Sequence, residues 1–367
     1  VGLFQIFFLN RIPESAAVNE AVNSCKTAKI HKRLHGFVNG VLRSAIRTKE
    51  DLLQKAATNS KKEEILNHPD WMVERWQSFF GKEATAELCR NNNTPPILTL
   101  RVNTTRISRT LLLAQLSADN IEAQLGEHSK DSIVLPDFSG SITSLPGYDS
   151  GFFQIQDEAA QIATTLLAPY KEKGNYLDGC AGLGGKTSHL LQELIPLGAH
   201  VHAVDPEPFR LEKLQENMQR LFSEPPLTVH KESLLNLSQS DLPLFDGILI
   251  DAPCSGTGVI GRHPDIRWNR QLEDLQIYQA EQLGLLTHAA TQLKTGGILV
   301  YATCSLEPEE NAEVIQVFLQ QNQEYELTDC RDILPESAHQ FVRGGFFHPL
   351  PAPAIDGFFA ARLIKTK

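Results

Sequence analysis

"YLDGCAGLGGKTSHLL", Tyr176–Leu191, sets a strand-like apolar run, a glycine-rich turn and a helix-like run in succession. That order lets the backbone approach a ligand at a helix N-terminus. Two phosphate-binding readings nearly fit and fail. A Walker A loop has four residues between its first glycine and "GK[ST]", whereas Gly179 to Gly185 encloses five. The dinucleotide fingerprint needs a third glycine at the position that is Thr187 here. About 20 residues after Gly185, Asp205 ends the next strand-like run, "HVHAVD", where a carboxylate can accept hydrogen bonds from ribose hydroxyls. A cofactor that carries adenosine but no phosphate meets these terms. S-adenosylmethionine is the candidate, and its sulfonium cation would also favour Asp178 and Asp251.

Outward from this stretch the pattern is regular. "NYLDGC", "HVHAVD", "LTVHK", "DGILIDAP" and "GGILVYATC" read as strands, separated by helix-like segments at 186–196, 207–222 and 271–293. Such alternation, with two continuous apolar runs among the strands, predicts an α/β fold with a parallel sheet covered on both faces. "EYELTD" and "GFFAARLI" complete a mostly parallel seven-stranded sheet of Rossmann-like type. Upstream, residues 1–58 read as helices, with "NG" at 39 and 40 as the only strong breaker. Residues 59–148 read as a small α+β module: a helical stretch through Arg90, the strand "ILTLRVN", the helix "RISRTLLLAQLSADN" and the strand "DSIVLPD". The expected organisation is therefore 1–58 all-α, 59–148 α+β and 149–367 α/β.

Composition narrows the class. With 367 residues, 41% hydrophobic and 21% charged, the chain reads as a soluble protein of two or three domains. The apolar run "IFFL" near the start is far below the roughly 18 residues a membrane span needs, and no signal peptide is read. The chain opens at Val1 with a helix-like segment already under way, which reads as a fragment of a longer domain. Six cysteines without CxxC or metal spacing suit a reducing cytoplasm and give no metal site. Net charge is −10, yet residues 1–50 carry eight Lys or Arg against three acids. Seven of those cations fall between Cys25 and Lys49 with no carboxylate among them, a surface compatible with a phosphate backbone.

Two cysteines share one setting. "ILIDAPCSGTG" and "ILVYATCSLEPEEN" are apolar runs that each end at a thiol, Cys254 and Cys304. In a doubly wound sheet ligands bind outside the carboxyl ends of the strands, so neighbouring strands would bring both thiols to one mouth. Carbon 5 of a pyrimidine is a poor nucleophile until a thiolate adds at carbon 6, a covalent route that divides one hard step into easier ones. Loss of the carbon-5 proton and expulsion of the thiolate then form a separate proton-transfer task. Asp251, in "DAPC", could hold the pyrimidine amino edge.

"DAPCSGTGVIGRHPDIRW", "LVYATCSLEPEEN", "DGFFAARLIK", "FQIQDEAAQ" and the glycine loop together resemble the RNA cytosine-C5 methyltransferases of the NOL1/NOP2/Sun family, most closely the bacterial Sun/Fmu type acting on small-subunit (16S) ribosomal RNA. The resemblance implies a class I methyltransferase domain, S-adenosylmethionine as cofactor, ribosomal RNA as partner and a monomer in the cytoplasm. It makes Cys304 the nucleophile, Cys254 the aid to product release and Asp251 a further catalytic group. Cofactor contacts carry over onto Cys180, Ala181, Gly182, Leu183, Gly184, Gly185, Lys186, Asp205, Arg210, Ser233 and Asp251. The first helices resemble the later part of a NusB-like RNA-binding domain, and 59–148 the family's RNA-recognition-like extension. Two positions depart from the pattern. The family loop reads "CAAPGGKT" where this chain has Gly182 and Leu183, and the aspartate that holds the adenine amino group falls on Ser233, with Glu232 beside it. The competing readings are a DNA cytosine-C5 methyltransferase, in which Cys254 would attack, and a ribosome assembly factor of this fold with weakened catalysis.

Overall fold

A computed structural model describes residues 1–9, 12–59, 66–237 and 242–367. They form two compact units, Val1–Leu66 and Asn67–Lys367. The first is all-helical: α1 (Gly2–Phe8), α2 (Glu14–Thr27), α3 (Lys32–Arg47) and α4 (Lys49–Asn59). Ile6, Ala17, Val18 and Leu42 make its small core. The breaker expected at Asn39-Gly40 does not break: α3 runs through it, with Leu42 and Ala45 buried beyond and Arg43 Nε donating to Asn39 Oδ1 at 3.0 Å. Burial of one helix face outweighs the propensity cost of a single glycine, about 1 kcal/mol.

The second unit opens with α5 (Asp70–Phe80) and α6 (Lys82–Asn92). The single helical stretch expected here is two helices, because Gly81 turns the chain at φ 85°. A four-stranded antiparallel sheet follows, in the order β2-β3-β1-β4, from β1 (Leu98–Val102), β2 (Gln124–Leu125), β3 (Ser132–Leu135) and β4 (Phe153–Ile155). Helix α7 (Arg109–Ala118) packs with it, its N-terminus capped by Ser108 Oγ accepting from Leu111 N. Strand β4 lies past residue 148, yet Leu100 pairs with Ile155 and Val102 with Phe153, so it completes this sheet.

Beyond α8 (Glu158–Thr165) the alternation read from the sequence appears strand by strand: β5 (Asn175–Asp178), α9 (Gly185–Leu194), β6 (His200–Val204), α10 (Pro208–Leu221), β7 (Leu227–His230), β8 (Phe245–Asp251), α11 (Ile266–Asn269), α12 (Asp274–Ala290), β9 (Leu293–Thr303), α13 (Ala312–Gln321), β10 (Tyr325–Thr328) and β13 (Phe359–Lys365). The short strands β11 (Val342–Arg343) and β12 (Phe346–Phe347) extend the sheet at one edge. The order is β11-β12-β13-β9-β8-β5-β6-β7, with β10 on β13. Strands β5 to β9 pair in parallel, and β13 runs antiparallel to β9.

The central strands read as unbroken apolar runs because both of their faces are covered. Tyr176, Leu249, Val300 and Ala302 join one core with residues of α8, α9 and α10. Leu177, Ile248, Ile250, Leu299 and Tyr301 alternate with them and join the other core, with residues of α12 and α13. Adjacent β8 and β9 are in register with Asp251 opposite Ala302, so the segments after both strands leave the sheet side by side.

Candidate active site

Those two exits bring the two cysteines together. Cys254 Sγ lies 3.3 Å from Cys304 Sγ. Beside them is a cavity of about 430 Å³ whose wall includes Cys180, Gly182, Asp205, Arg210, Ser233, Asp251 and Cys254, seven of the residues singled out in the sequence. Arg270, Tyr278 and Glu281 line it as well.

The rest of the glycine loop supports this wall without being part of it. Ala181 N–H donates to Val204 O at 2.9 Å, fastening the loop to β6. Gly184 has φ 85°, and a Cβ there would meet Leu214 Cγ and Met218 Cε at 2.9 Å, so this glycine serves the close packing of α9 on α10. Gly185 gives its carbonyl to Arg101, at 2.8 Å from Nη1, and Leu183 points to solvent, 52% exposed. Lys186 Nζ pairs with Asp251 Oδ2 at 2.5 Å and lies 5.1 Å from the centre of the Phe358 ring. Asp178 is fully buried beneath the loop and accepts from Thr187 Oγ1 at 2.7 Å; burial pushes its carboxyl up to about 6. It is therefore a support for α9, and not the cavity-facing group expected for a sulfonium.

Asp205 is 2% exposed and oriented from both oxygens, Oδ2 accepting from Gly182 N at 3.0 Å and Oδ1 from Glu207 N at 2.9 Å. Arg210 Nη1 stands 3.6 Å from Asp205 Oδ2. Of the two candidates for the departed aspartate, Ser233 lies on the cavity wall, while Glu232 is exposed. Ser233 Oγ also accepts from Leu235 N at 3.3 Å, which caps the turn of chain after β7.

The thiols differ in their surroundings. The hydrogen bond it shares with Cys304 and its burial together hold the Cys254 thiol well above its ordinary value.

Buried acids hold the two loops in place. Glu310 is fully buried; its Oε1 accepts from Ser255 N at 2.8 Å and Gln282 Nε2 at 3.0 Å, and its Oε2 from Ser255 Oγ and Ser305 Oγ at 2.5 Å each. Each serine directly follows one of the two cysteines, so one carboxylate sets both. Glu307, also fully buried, accepts from Trp76 Nε1 at 3.0 Å and Arg75 Nε at 3.1 Å. Desolvation raises its pKa in spite of these donors. Gly258 N–H donates to Cys304 O at 2.9 Å, and a Cβ at Gly258 would meet Gly357 O at 2.3 Å, so the loops cross with no room for a side chain. The signal in the sequence was "EPEEN", an acidic run that starts three residues after a thiol.

A family model described as 16S rRNA methyltransferase RsmB/F matches residues 164–364. A model for the RsmF/B-like ferredoxin-like domain matches 68–139, and a NusB family model matches 1–47. Over 378 residues the chain is 35% identical to a probable ribosomal RNA small subunit methyltransferase B of Bacillus subtilis strain 168, covering 100% of this chain and 81% of that protein. Ribosomal RNA small subunit methyltransferase B of Pasteurella multocida strain Pm70 is 39% identical over 372 residues, with 100% and 79% covered. A solved methyltransferase homologue from Pyrococcus horikoshii superposes with a TM-score of 0.67 at 30% identity, over 82% of this chain and 96% of that one. With the methyltransferase match spanning more than half of the residues and the likeness to a relative 35% identical covering all of this chain and 81% of that protein, the chain belongs to the 16S rRNA methyltransferase RsmB/F family.

Proposed function

We propose that this protein transfers a methyl group from S-adenosylmethionine to carbon 5 of a cytosine in small-subunit ribosomal RNA, by way of a transient bond between Cys304 Sγ and carbon 6. The observation that carries the reading is the pair of thiols 3.3 Å apart beside a cavity with the right chemistry for that cofactor. Gly182 lines the cavity at φ 54° with open space where a Cβ would stand, a cradle for close backbone approach. Asp205 and Ser233 would hold the ribose and adenine edges, and the carboxylates of Asp251 and Glu281 favour a cation. When bound, the cofactor supplies an electrophilic methyl group.

The residues then divide the remaining work. Cys304 thiolate adds to carbon 6 of the pyrimidine, and the electron pair of the 5,6 double bond becomes available at carbon 5. Asp251, held by Lys186, accepts from the cytosine amino group and stabilises the protonated ring nitrogen. After methylation the carbon-5 proton passes to bulk water, its electrons restore the double bond, and the carbon–sulfur bond breaks with the pair returning to Cys304. Cys254 is assigned this second half because it lies on the wall of the cavity proposed for the methyl donor, which Cys304 does not line. A target base paired within folded RNA reaches such a site by leaving its stack.

The test is a pair of variants assayed on small-subunit RNA. Cys304→Ala is expected to abolish methyl transfer, and Cys254→Ala to accumulate a covalent protein–RNA adduct that releases slowly. Full turnover by Cys304→Ala would overturn the assignment, and loss of all adduct in Cys254→Ala would instead make Cys254 the nucleophile, as in the DNA enzymes of this chemistry. An assembly factor with weakened catalysis predicts no heat of binding on titration with S-adenosylmethionine.

A further inference from the structure

A second cavity, of about 470 Å³, lies away from the thiols, and Ser129, Lys130, Tyr170 and Glu193 are part of its wall. Glu193 also belongs to a cluster with Asp131 and His189 in which one ligand atom from each residue lies within 4.8 Å of the others. His189 and Glu193 are four residues apart on α9 and so share a helix face; Asp131 comes from the turn that enters β3. His189 is fully buried, and neither its Nδ1 nor its Nε2 has a hydrogen-bond partner among the described residues. Buried polar atoms of native proteins are nearly always paired, so two orphan nitrogens on one ring call for a ligand.

Asp131 and Glu193 give the ring two carboxylate neighbours, a donor set that suits a cation. Gln192 Nε2 donates to Asp131 Oδ2 at 2.8 Å and orients that carboxylate, as partners of metal ligands do. Lys130 Nζ pairs with Glu193 at 2.9 Å, but its side chain is 63% exposed and can swing aside. Arg101 is already committed to Gly185 O at 2.8 Å and Ser188 Oγ at 2.6 Å.

We propose that Asp131, His189 and Glu193 bind a divalent transition metal of the zinc class, fastening the four-stranded sheet to the helix that carries Lys186. One imidazole and two carboxylates are an ordinary donor set for Zn²⁺, whose bonds of about 2.0–2.2 Å require the ligand atoms to close inward, with a fourth position for water from the cavity. The sequence expectation of no metal rested on cysteine spacing, and this set uses no cysteine. Its ligands are also spread over 63 positions, which hides the pattern.

Co²⁺ is the probe, added to metal-stripped full-length protein and followed by absorption. The expected result is one equivalent bound, with a visible ligand-field band, no near-ultraviolet thiolate charge-transfer band, and loss of the signal when Zn²⁺ is added. Glu193→Gln, on the cavity wall, and His189→Gln are each expected to weaken Co²⁺ binding by about 10–100-fold, whereas Cys254→Ser with Cys304→Ser leaves the band unchanged. Should His189→Gln fail to fold by circular dichroism, Glu193→Gln alone decides. A band with thiolate character that vanishes in the double cysteine variant would place the metal on the thiols and overturn the proposal. So would the absence of any band from folded protein in excess Co²⁺, or wild-type affinity in Glu193→Gln.

Discussion

Glu310 touches neither cavity nor thiol, yet its replacement should be among the most damaging at this site. Four donors converge on its two oxygens, and one of them, the Ser255 N–H, cannot turn elsewhere in a site closed to water, while Gln282 Nε2 keeps a second bond to Pro253 O at 2.8 Å. At about 1–1.5 kcal/mol for each bond lost, Glu310→Ala should cost about 4–6 kcal/mol. Glu310→Gln keeps one acceptor oxygen in place while its amide offers hydrogens where two serine hydroxyls now donate, so roughly half of that cost, about 2–3 kcal/mol, is expected. For a unit of this size each kcal/mol lowers Tm by about 2–4 °C, which puts the Gln variant about 4–12 °C below wild type in a calorimetric scan. The effect on rate should exceed the effect on stability, because Ser255 and Ser305 fix the residues beside them, Cys254 and Cys304, and a misplacement of about 1 Å can cost about 100-fold. Single-turnover formation of the protein–RNA adduct, measured well below the lowered Tm, isolates that step. A Gln variant with wild-type Tm and wild-type adduct rate would refute the idea that this carboxylate positions the thiols.

Other substitutions probe the surroundings. Burial raises Asp178 from 3.8 to about 6, so folding is opposed increasingly as pH rises from about 4 to 6 and by a constant amount above; Asp178→Asn should gain up to about 3 kcal/mol on wild type at pH 7–8 and nothing near pH 3.5. Denaturant titration at several pH values checks this, and a pH-independent difference would contradict it. Lys186→Met removes a charge-assisted contact to Asp251 worth about 1.5–3 kcal/mol, which should lower methylation turnover by about 10–100-fold while the far-ultraviolet circular dichroism stays unchanged. Trp76→Phe leaves the buried Glu307 without its indole donor and should cost about 1–3 kcal/mol in urea unfolding, with Glu307→Gln in the same background recovering part of it.

The methyltransferase sheet was legible because its central strands are covered on both faces and must read as apolar runs, and because glycines mark where the chain turns over a ligand. That the two cysteines meet was legible because each follows the carboxyl end of a strand, and register sets those ends side by side with Asp251 opposite Ala302. What failed to show was decided by partners distant in sequence. Asn39-Gly40 continues a helix because Leu42 and Ala45 on the same helix are buried. Strand β4 is three residues long, too short for alternation to declare, and exists because β1 offers it an edge. Nothing within "EPEEN" itself shows that Glu307 and Glu310 are fully buried, since Trp76, Arg75, Ser255 and Gln282 arrive from 28 to 232 positions away to satisfy them.

The same reasoning bears on the loop that departs from its family pattern. "CAGLGGKT" lacks the proline that would fix φ in "CAAPGGKT", and glycine adds backbone freedom that folding must remove. Side chains here supply the constraint that the ring would have supplied. Asp205 accepts from Gly182 N–H, Asn217 Nδ2 donates to Leu183 O at 3.0 Å, and the backbone bonds of Ala181 to Val204 and of Gly184 to Ala181 close the turn on either side. Gly182 moreover sits at φ 54°, a conformation in which an L side chain is strained by about 1–2 kcal/mol, so glycine suits the position better than the family's small residue would in this backbone. The loop's shape is therefore set from β6 and α10, and Asp205, which the sequence offered as a ribose contact, has the second task of holding the loop that closes the same cavity.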